Sequence, residues 1–162
     1  MTAPKVLIIG TGEYVTGLVH GSKSTSDKGA GLIALTLFDL RERGLVSTII
    51  LAGTNGSKFP LVRSHFKQLI AERYAMDTSF QSFPDDDQRD SNAWKTALQE
   101  LNPGDAVIIF TPDDLHYEMA YTAANKGLNV LVAKPIVKTV EEHDSLIEIS
   151  REKKSIIAME VH

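Results

Sequence analysis

Residues 106–135, AVIIFTPDDLHYEMAYTAANKGLNVLVAKP, hold an unbroken apolar run, a Thr-Pro break, a stretch of helical periodicity, a glycine and a second apolar run. The first run, Ala106–Phe110, has the composition of a strand covered on both faces. Pro112 cannot extend it, because proline brings no amide hydrogen to a ladder. Met119, Ala120, Ala123 and Ala124 then share one helical face, Gly127 supplies a left-handed C-terminal turn, and Asn129–Val132 follows at once as a strand. Strand, helix and strand in that order make a βαβ unit with parallel strands.

The same alternation runs through the chain. Further strands are expected at Val6–Ile9, Thr48–Ala52, Ser79–Ser82 and Ile156–Glu160, and helices at Leu32–Arg43, Pro60–Tyr74, Ala93–Leu101, Leu115–Lys126 and Val140–Lys153. Thr139 and Glu142 stand three apart, so side chain and backbone can satisfy each other's orphan donors as a capping box at the last helix. Repeated βα units predict an α/β domain built on a parallel sheet. Two polar segments interrupt the rhythm, His20–Gly31 (HGSKSTSDKGAG) and Pro84–Asn92 (PDDDQRDSN), both long for connections in a compact α/β domain.

Composition narrows the function. The 162 residues suit one domain with a full core, and 43% hydrophobic with 23% charged residues is the balance of a globular protein. A net charge of −4 without a basic stripe argues against nucleic acid as the main partner. Absence of cysteine excludes disulfides, thiol nucleophiles and cysteine-ligated metal. The N-terminal MTAPKVLIIG is neither a signal peptide nor a membrane span, which leaves the cytoplasm as the default and no membrane partner. The closing SIIAMEVH reads as a strand, and a domain ending there is expected to be a piece of a longer chain.

Four constellations carry chemistry, and each stands at the carboxyl end of an expected strand. Lys5–Gly17, KVLIIGTGEYVTG, places Gly10, Thr11 and Gly12 where a tight turn can approach a pyrophosphate, with Glu13 and Tyr14 heading the turn that follows. Val15 stands where the third glycine of such a turn belongs, so the first long helix is expected to start late, after the Ser22–Gly31 insertion. The plain alternative is a glycine turn that holds nothing. The second strand ends in LAGTNGSKF, residues 51–59, with no acid to grip a ribose diol. Thr54, Asn55 and Ser57 can hydrogen-bond a ribose and Lys58 can meet a 2′-phosphate, unless TNGS merely caps the next helix. In the third, Thr111 and Pro112 turn the chain, Asp113 or Asp114 caps the helix and His116 lies in its first turn, as an orienting group or a general base. In the fourth, Lys134 follows a buried strand and precedes Pro135, a position for a proton donor or for an ordinary surface lysine. In open α/β sheets this edge is the ligand crevice, so their joint placement outweighs each motif alone.

The order of the glycine turn, Thr111-Pro112 with His116, and Lys134-Pro135 resembles the N-terminal domain of the Gfo/Idh/MocA oxidoreductases over essentially the whole chain. The resemblance implies a three-layer doubly wound Rossmann fold, strand order 3-2-1-4-5-6, over residues 1–162, with a second α/β substrate domain missing. It also implies NAD or NADP as cofactor, held by Gly10, Thr11, Gly12, Glu13, Tyr14, Thr54, Asn55, Thr111, Pro112, Asp113 and His116. Lys134 becomes the active-site lysine beside hydride transfer to or from a sugar, inositol or other polyol-like substrate, in a full-length homo-oligomer. No metal is implied. Ala133 departs from the family's Glu-Lys-Pro, as do Val15 and the missing acid of the second strand. Those departures keep open two other readings: a non-catalytic dinucleotide-binding regulatory module, and an α/β domain without a dinucleotide.

Overall fold

Four-residue runs such as VLII and IILA leave no side chain suited to water, so the strands they form need helices on both sides, and right-handed crossovers supply them. The structure, a computed structural model, describes residues 2–161. In chain order the elements are β1 (Val6–Ile9), α1 (Glu13–Thr16), β2 (Leu18–Val19), β3 (Ser22–Lys23), α2 (Leu32–Glu42), β4 (Ile49–Ala52), α3 (Phe59–Phe66), α4 (Glu72–Tyr74), β5 (Gln81–Phe83), α5 (Ala93–Ala97), β6 (Ala106–Ile109), α6 (His116–Asn125), β7 (Asn129–Ala133), α7 (Val140–Lys153) and β8 (Ile157–Glu160). Six strands form one parallel sheet in the order β5-β4-β1-β6-β7-β8, which is 3-2-1-4-5-6 when its strands are counted along the chain. Ile8 of β1 lies between Leu51 of β4 and Ile108 of β6. The order reverses at β1, so the connections leave its carboxyl end toward opposite faces and open a crevice there.

Alternation of side chains along the strands divides the core into two layers. Leu7, Ile9, Ile50 and Val107 meet Trp94 of α5, Ala120 of α6 and Leu146 of α7 on one face. Val6, Ile8, Ile49 and Leu51 meet Val15, Phe38 of α2 and Phe59 and Phe66 of α3 on the other. Three layers therefore result from the period of two in the strands and the apolar stripes of the helices. The capping box at α7 is formed: Thr139 Oγ1 accepts from the Glu142 amide at 3.1 Å, and the Glu142 carboxylate accepts from the Thr139 amide at 3.3 Å.

Four elements differ from expectation. The helix expected over Ala93–Leu101 is α-helical over Ala93–Ala97 and passes into a 3₁₀ turn, Leu98–Glu100. The helix expected over Pro60–Tyr74 begins with a 3₁₀ turn, Gly56–Lys58, and is interrupted by a π turn, Lys67–Ala71. The strand expected over Ser79–Ser82 pairs over Gln81–Phe83, because Asp77 binds both the amide and the hydroxyl of Ser79 at 2.9 Å and turns the chain before it reaches β4. The polar segment after His20 is ordered by an antiparallel hairpin, β2 with β3. Its two central residues, His20 and Gly21, have φ of 48° and 79°, which suits a two-residue turn matched to the twist of the strands.

Candidate functional site

The glycine turn is built by the approach of β1 to β6. At Gly10, φ is +119° and a Cβ would stand 2.1 Å from the Phe110 carbonyl oxygen, so no other residue fits there without displacing β6. Thr11 and Gly12 follow at the mouth of the crevice. The amides of Thr11, Gly12 and Glu13 find no acceptor among the described residues, and the position of a Gly12 Cβ has no atom within 4 Å. Three unpaired donors beside open space are the donor set that a diphosphate requires.

Val15 has a structural reason. The turn that starts at Gly12 closes after α1, a single helical turn, and Val15 drops from it into the apolar layer with no exposed surface. The Thr16 hydroxyl donates to the carbonyls of Thr11 or Gly12, at 3.2 and 3.1 Å, and fixes the turn from beneath. The chain then makes the hairpin, and the long helix α2 starts only at Leu32. Close backbone packing, the task of a third glycine, is moved to Gly31, where a Cβ would lie 2.5 Å from the Val15 carbonyl oxygen. The expectation that the long helix starts late is met, and a one-turn helix, α1, also stands on the glycine loop.

Glu13 and Tyr14 serve the hairpin rather than the cleft with their side chains. One Glu13 carboxylate oxygen accepts from the hydroxyls of Ser24 and Ser26, the latter at 2.7 Å, and these bonds, Ser24 foremost, hold its carboxyl below the ordinary value of 4.5. Tyr14 stacks on Phe110 with ring centres 6.1 Å apart and carries the Lys28 ammonium 5.0 Å from its ring centre. The segment between the hairpin and α2 is tied from behind by His65, whose Nε2 lies 2.8 Å from the Gly29 carbonyl oxygen.

Above the reversal point lies a cleft of about 280 Å³, walled by Gly10, Thr11 and Gly12, by Gly53 and Thr54 after β4, and by Thr111 and Pro112 after β6. Three of the four constellations thus share one space. Ser91, Trp94, Leu115 and Met119 also line it and were not read from sequence as site residues, Met119 having been expected only on the packing face of its helix. Ser91 belongs to the long polar segment before α5, the one signal that pointed toward it.

Other expected residues lie elsewhere. Asn55 does not line the cleft: its Oδ1 accepts from the Ser57 amide at 3.2 Å and the Ser57 hydroxyl at 2.9 Å, as the cap of the 3₁₀ turn. Asp113 and Asp114 cap nothing, because the chain makes a 3₁₀ turn over Asp113–Leu115 first and leaves Leu115 at the cap position of α6. Asp114 instead pairs with Lys138, which holds its carboxyl low. His116 is fully buried and outside the cleft wall; Nδ1 lies 2.7 Å from the Pro135 carbonyl oxygen and Nε2 2.9 Å from that of Thr111. Reaching no solvent and facing two backbone carbonyls, it orients the turns after β6 and β7 and has no open path to abstract a substrate proton. Lys134 is exposed at the end of β7, one strand beyond the cleft, next to a cis bond to Pro135, and has no ion-pair or hydrogen-bond partner among the described residues. Among the described residues no group of His, Asp and Glu is set to hold a metal ion, and no helix is long and apolar enough to cross a membrane.

A doubly wound parallel sheet with a glycine turn, unpaired amides and a cleft at its reversal point defines a dinucleotide-binding Rossmann domain. The chain belongs to the Gfo/Idh/MocA family, the oxidoreductase family with an NAD-binding Rossmann fold, which matches residues 52–161. The glycine turn and hairpin lie before the matched span. UDP-N-acetylglucosamine 3-dehydrogenase of Acidithiobacillus ferrooxidans is 36% identical over 55 residues, 34% of this chain and 18% of that protein. Its solved structure superposes with a TM-score of 0.58 at 19% identity, covering 98% of this chain and 38% of that one. A WlbA dehydrogenase from Chromobacterium violaceum, solved with NADH and UDP-GlcNAcA, gives 0.57 at 15% identity over 99% of this chain and 35% of that one. Myo-inositol 2-dehydrogenase from Lactobacillus plantarum gives 0.55 at 17% identity, over 98% and 36%. The chain therefore spans little more than a third of the solved proteins it resembles.

Proposed function

We propose that the chain is the cofactor domain of a longer two-domain oxidoreductase. It holds NAD or NADP across the end of β1, and the whole enzyme moves a hydride between the nicotinamide and a sugar, inositol or related polyol. The observation that carries this reading is the cleft itself, where unpaired amides of the glycine turn meet the ends of β4 and β6. The unpaired amides of Thr11, Gly12 and Glu13 bind the diphosphate, which the absence of a side chain at Gly10 and Gly12 lets come close, while Thr54 lies toward the adenosine ribose and Thr111 and Pro112 line the cofactor near its nicotinamide half. The nicotinamide supplies the hydride-accepting carbon when bound. Lys134, one strand further along the same edge, donates a hydrogen bond to the reacting oxygen of the substrate and moves its proton. His116 keeps the turn that carries Lys134 in register with Thr111.

The single tryptophan, Trp94, stands in the cleft wall and provides the test. Titration with NADH or NADPH is expected to quench its emission by energy transfer to the nicotinamide, with saturation at one equivalent. No response to either cofactor, by fluorescence and by melting temperature, refutes the assignment. In the full-length protein, Lys134→Met should remove turnover and leave cofactor affinity within about threefold, as expected of a group that acts in the transition state.

A further inference from the structure

His116 has no exposed surface, and both of its ring nitrogens face backbone carbonyl oxygens, Nδ1 at 2.7 Å from that of Pro135 and Nε2 at 2.9 Å from that of Thr111. The two oxygens belong to different strand ends, Thr111 after β6 and Pro135 after β7, and neither carbonyl has another donor among the described residues. A carbonyl oxygen can only accept. A neutral imidazole has one N–H and one lone pair, so it satisfies one of the two oxygens and turns its lone pair on the other. Turning the ring over brings Cδ2 and Cε1 to those places and loses both bonds. The acceptors therefore assign a hydrogen to each nitrogen.

Charge balance around the ring is the opposing consideration, because burial by itself favours the uncharged form. No carboxylate stands within ion-pair distance of the ring among the described residues. On its own helix, Glu118 is paired with Lys95 of α5 at 2.8 Å, and Tyr117 shares a hydrogen bond with Ser145 of α7. In the turns after β6 and β7, Asp114 is paired with Lys138, while Asp113 and Lys134 are exposed. The cation thus rests on the two carbonyl dipoles alone. At 2.7 and 2.9 Å no water fits between ring and oxygen, and both lengths are those of charge-assisted N–H···O bonds, about 2.7–2.9 Å. With a hydrogen on each nitrogen every polar atom of the ring is paired, whereas the neutral ring holds a lone pair against an oxygen from which it has no room to part. The pairing of both oxygens decides the state.

We infer that His116 carries a hydrogen on both ring nitrogens in the folded protein, and that this buried imidazolium is a positioning residue which clamps the turn bearing Lys134 to the turn bearing Thr111 and Pro112. A neutral ring holds one of the two turns and releases the other. Thr111 and Pro112 wall the cleft and Lys134 stands one strand outside it, so the clamp fixes how far the lysine lies from the cleft. That consequence rests on the role proposed above for Lys134; the state of the ring does not.

The ring is read by nuclear magnetic resonance on the chain itself, labelled with the heavy nitrogen isotope, at about pH 7.5, roughly one unit above the ordinary midpoint of a histidine. The His116 signals are assigned through Overhauser contacts with Thr111 and Pro135, and one-bond nitrogen–hydrogen couplings are expected at both ring nitrogens. A ring nitrogen without a hydrogen overturns the inference and leaves the dinucleotide reading standing. His116→Gln keeps a donor and removes the charge; it should speed amide exchange at Lys134 and Ile136 about tenfold, the worth of one hydrogen bond to a charged group, with β1 and β4 unchanged. Exchange at the wild-type rate in this variant overturns the clamp. If His116→Gln does not fold, wild type is taken to higher pH instead: the Lys134 and Ile136 amide signals should shift with the same midpoint at which a ring hydrogen is lost, and separate midpoints overturn the clamp. Absence of any Trp94 response to NADH and NADPH overturns the cofactor reading and leaves the ring result as measured.

Discussion

Replacing Val15 with glycine restores the third glycine of a dinucleotide turn, and the structure predicts that this harms the protein. Val15 has no exposed surface and packs in the layer formed by Phe38, Phe59 and Ile8. Removal of three buried carbons costs about 2.4 kcal/mol at roughly 0.8 kcal/mol each. Glycine inside the helical turn adds about 1 kcal/mol through backbone entropy. A total near 3–4 kcal/mol in a domain of this size lowers the melting temperature by about 7–14 °C. The assay is thermal unfolding followed by circular dichroism, paired with NADPH titration on the folded protein, and Val15→Ala should fall between the two. Cofactor affinity should not improve, because the backbone approach that a third glycine permits already occurs at Gly31. A drop under about 3 °C, or tighter cofactor binding in Val15→Gly, would refute the argument that Val15 belongs to the core and that its packing duty has moved.

Gly10 and Gly12 should separate stability from binding. Gly10→Ala drives a Cβ into the Phe110 carbonyl at positive φ and should cost about 2 kcal/mol or more, whereas Gly12→Ala meets open space and should leave the melting temperature within about 2 °C while weakening cofactor binding. Thr139→Ala should cost about 1 kcal/mol by opening the capping box, seen as a melting-temperature loss of about 2–4 °C with unchanged cofactor affinity. Glu13 is a carboxyl whose folded value is depressed by Ser24 and Ser26, so its support of the hairpin is complete above its ordinary value of 4.5 and fades as pH falls through the lower folded value. Amide exchange at Ser24 and Ser26 should accelerate in that acid range, and Glu13→Gln should remove the pH step; persistence of the step in Glu13→Gln would assign it to another group.

Much of the fold was legible because its signals are local. Apolar runs such as VLII and AVII cannot face water on either side, and Thr139 with Glu142 sets a helix start within a single turn. The boundaries that moved were those decided by neighbours: Asp77 turned the chain ahead of β5, and Asp113 and Asp114 were displaced from their cap by a 3₁₀ turn. The hairpin escaped notice because its strands are two residues each and the residues that follow them, Ser24, Ser26 and Gly29, are held by Glu13 and His65 from outside the segment. At the site, the sequence grouped Gly10, Gly12, Thr54, Thr111 and Pro112 correctly on one sheet edge. It had no means to see Ser91 and Trp94 in the same wall, since α5 is brought there by the crossover from β5 to β6.

The sequence by itself determined the class of architecture, the parallel order of the elements and the edge on which ligand chemistry collects, because hydrophobic period and turn chemistry act over a few residues. Only the tertiary structure decided what individual residues do there. The burial of Val15 and the two carbonyls facing His116 depend on how distant segments pack. Those distances are set by helices lying on a sheet, where residues tens of positions apart come within a few ångströms and neighbours in sequence point to opposite faces.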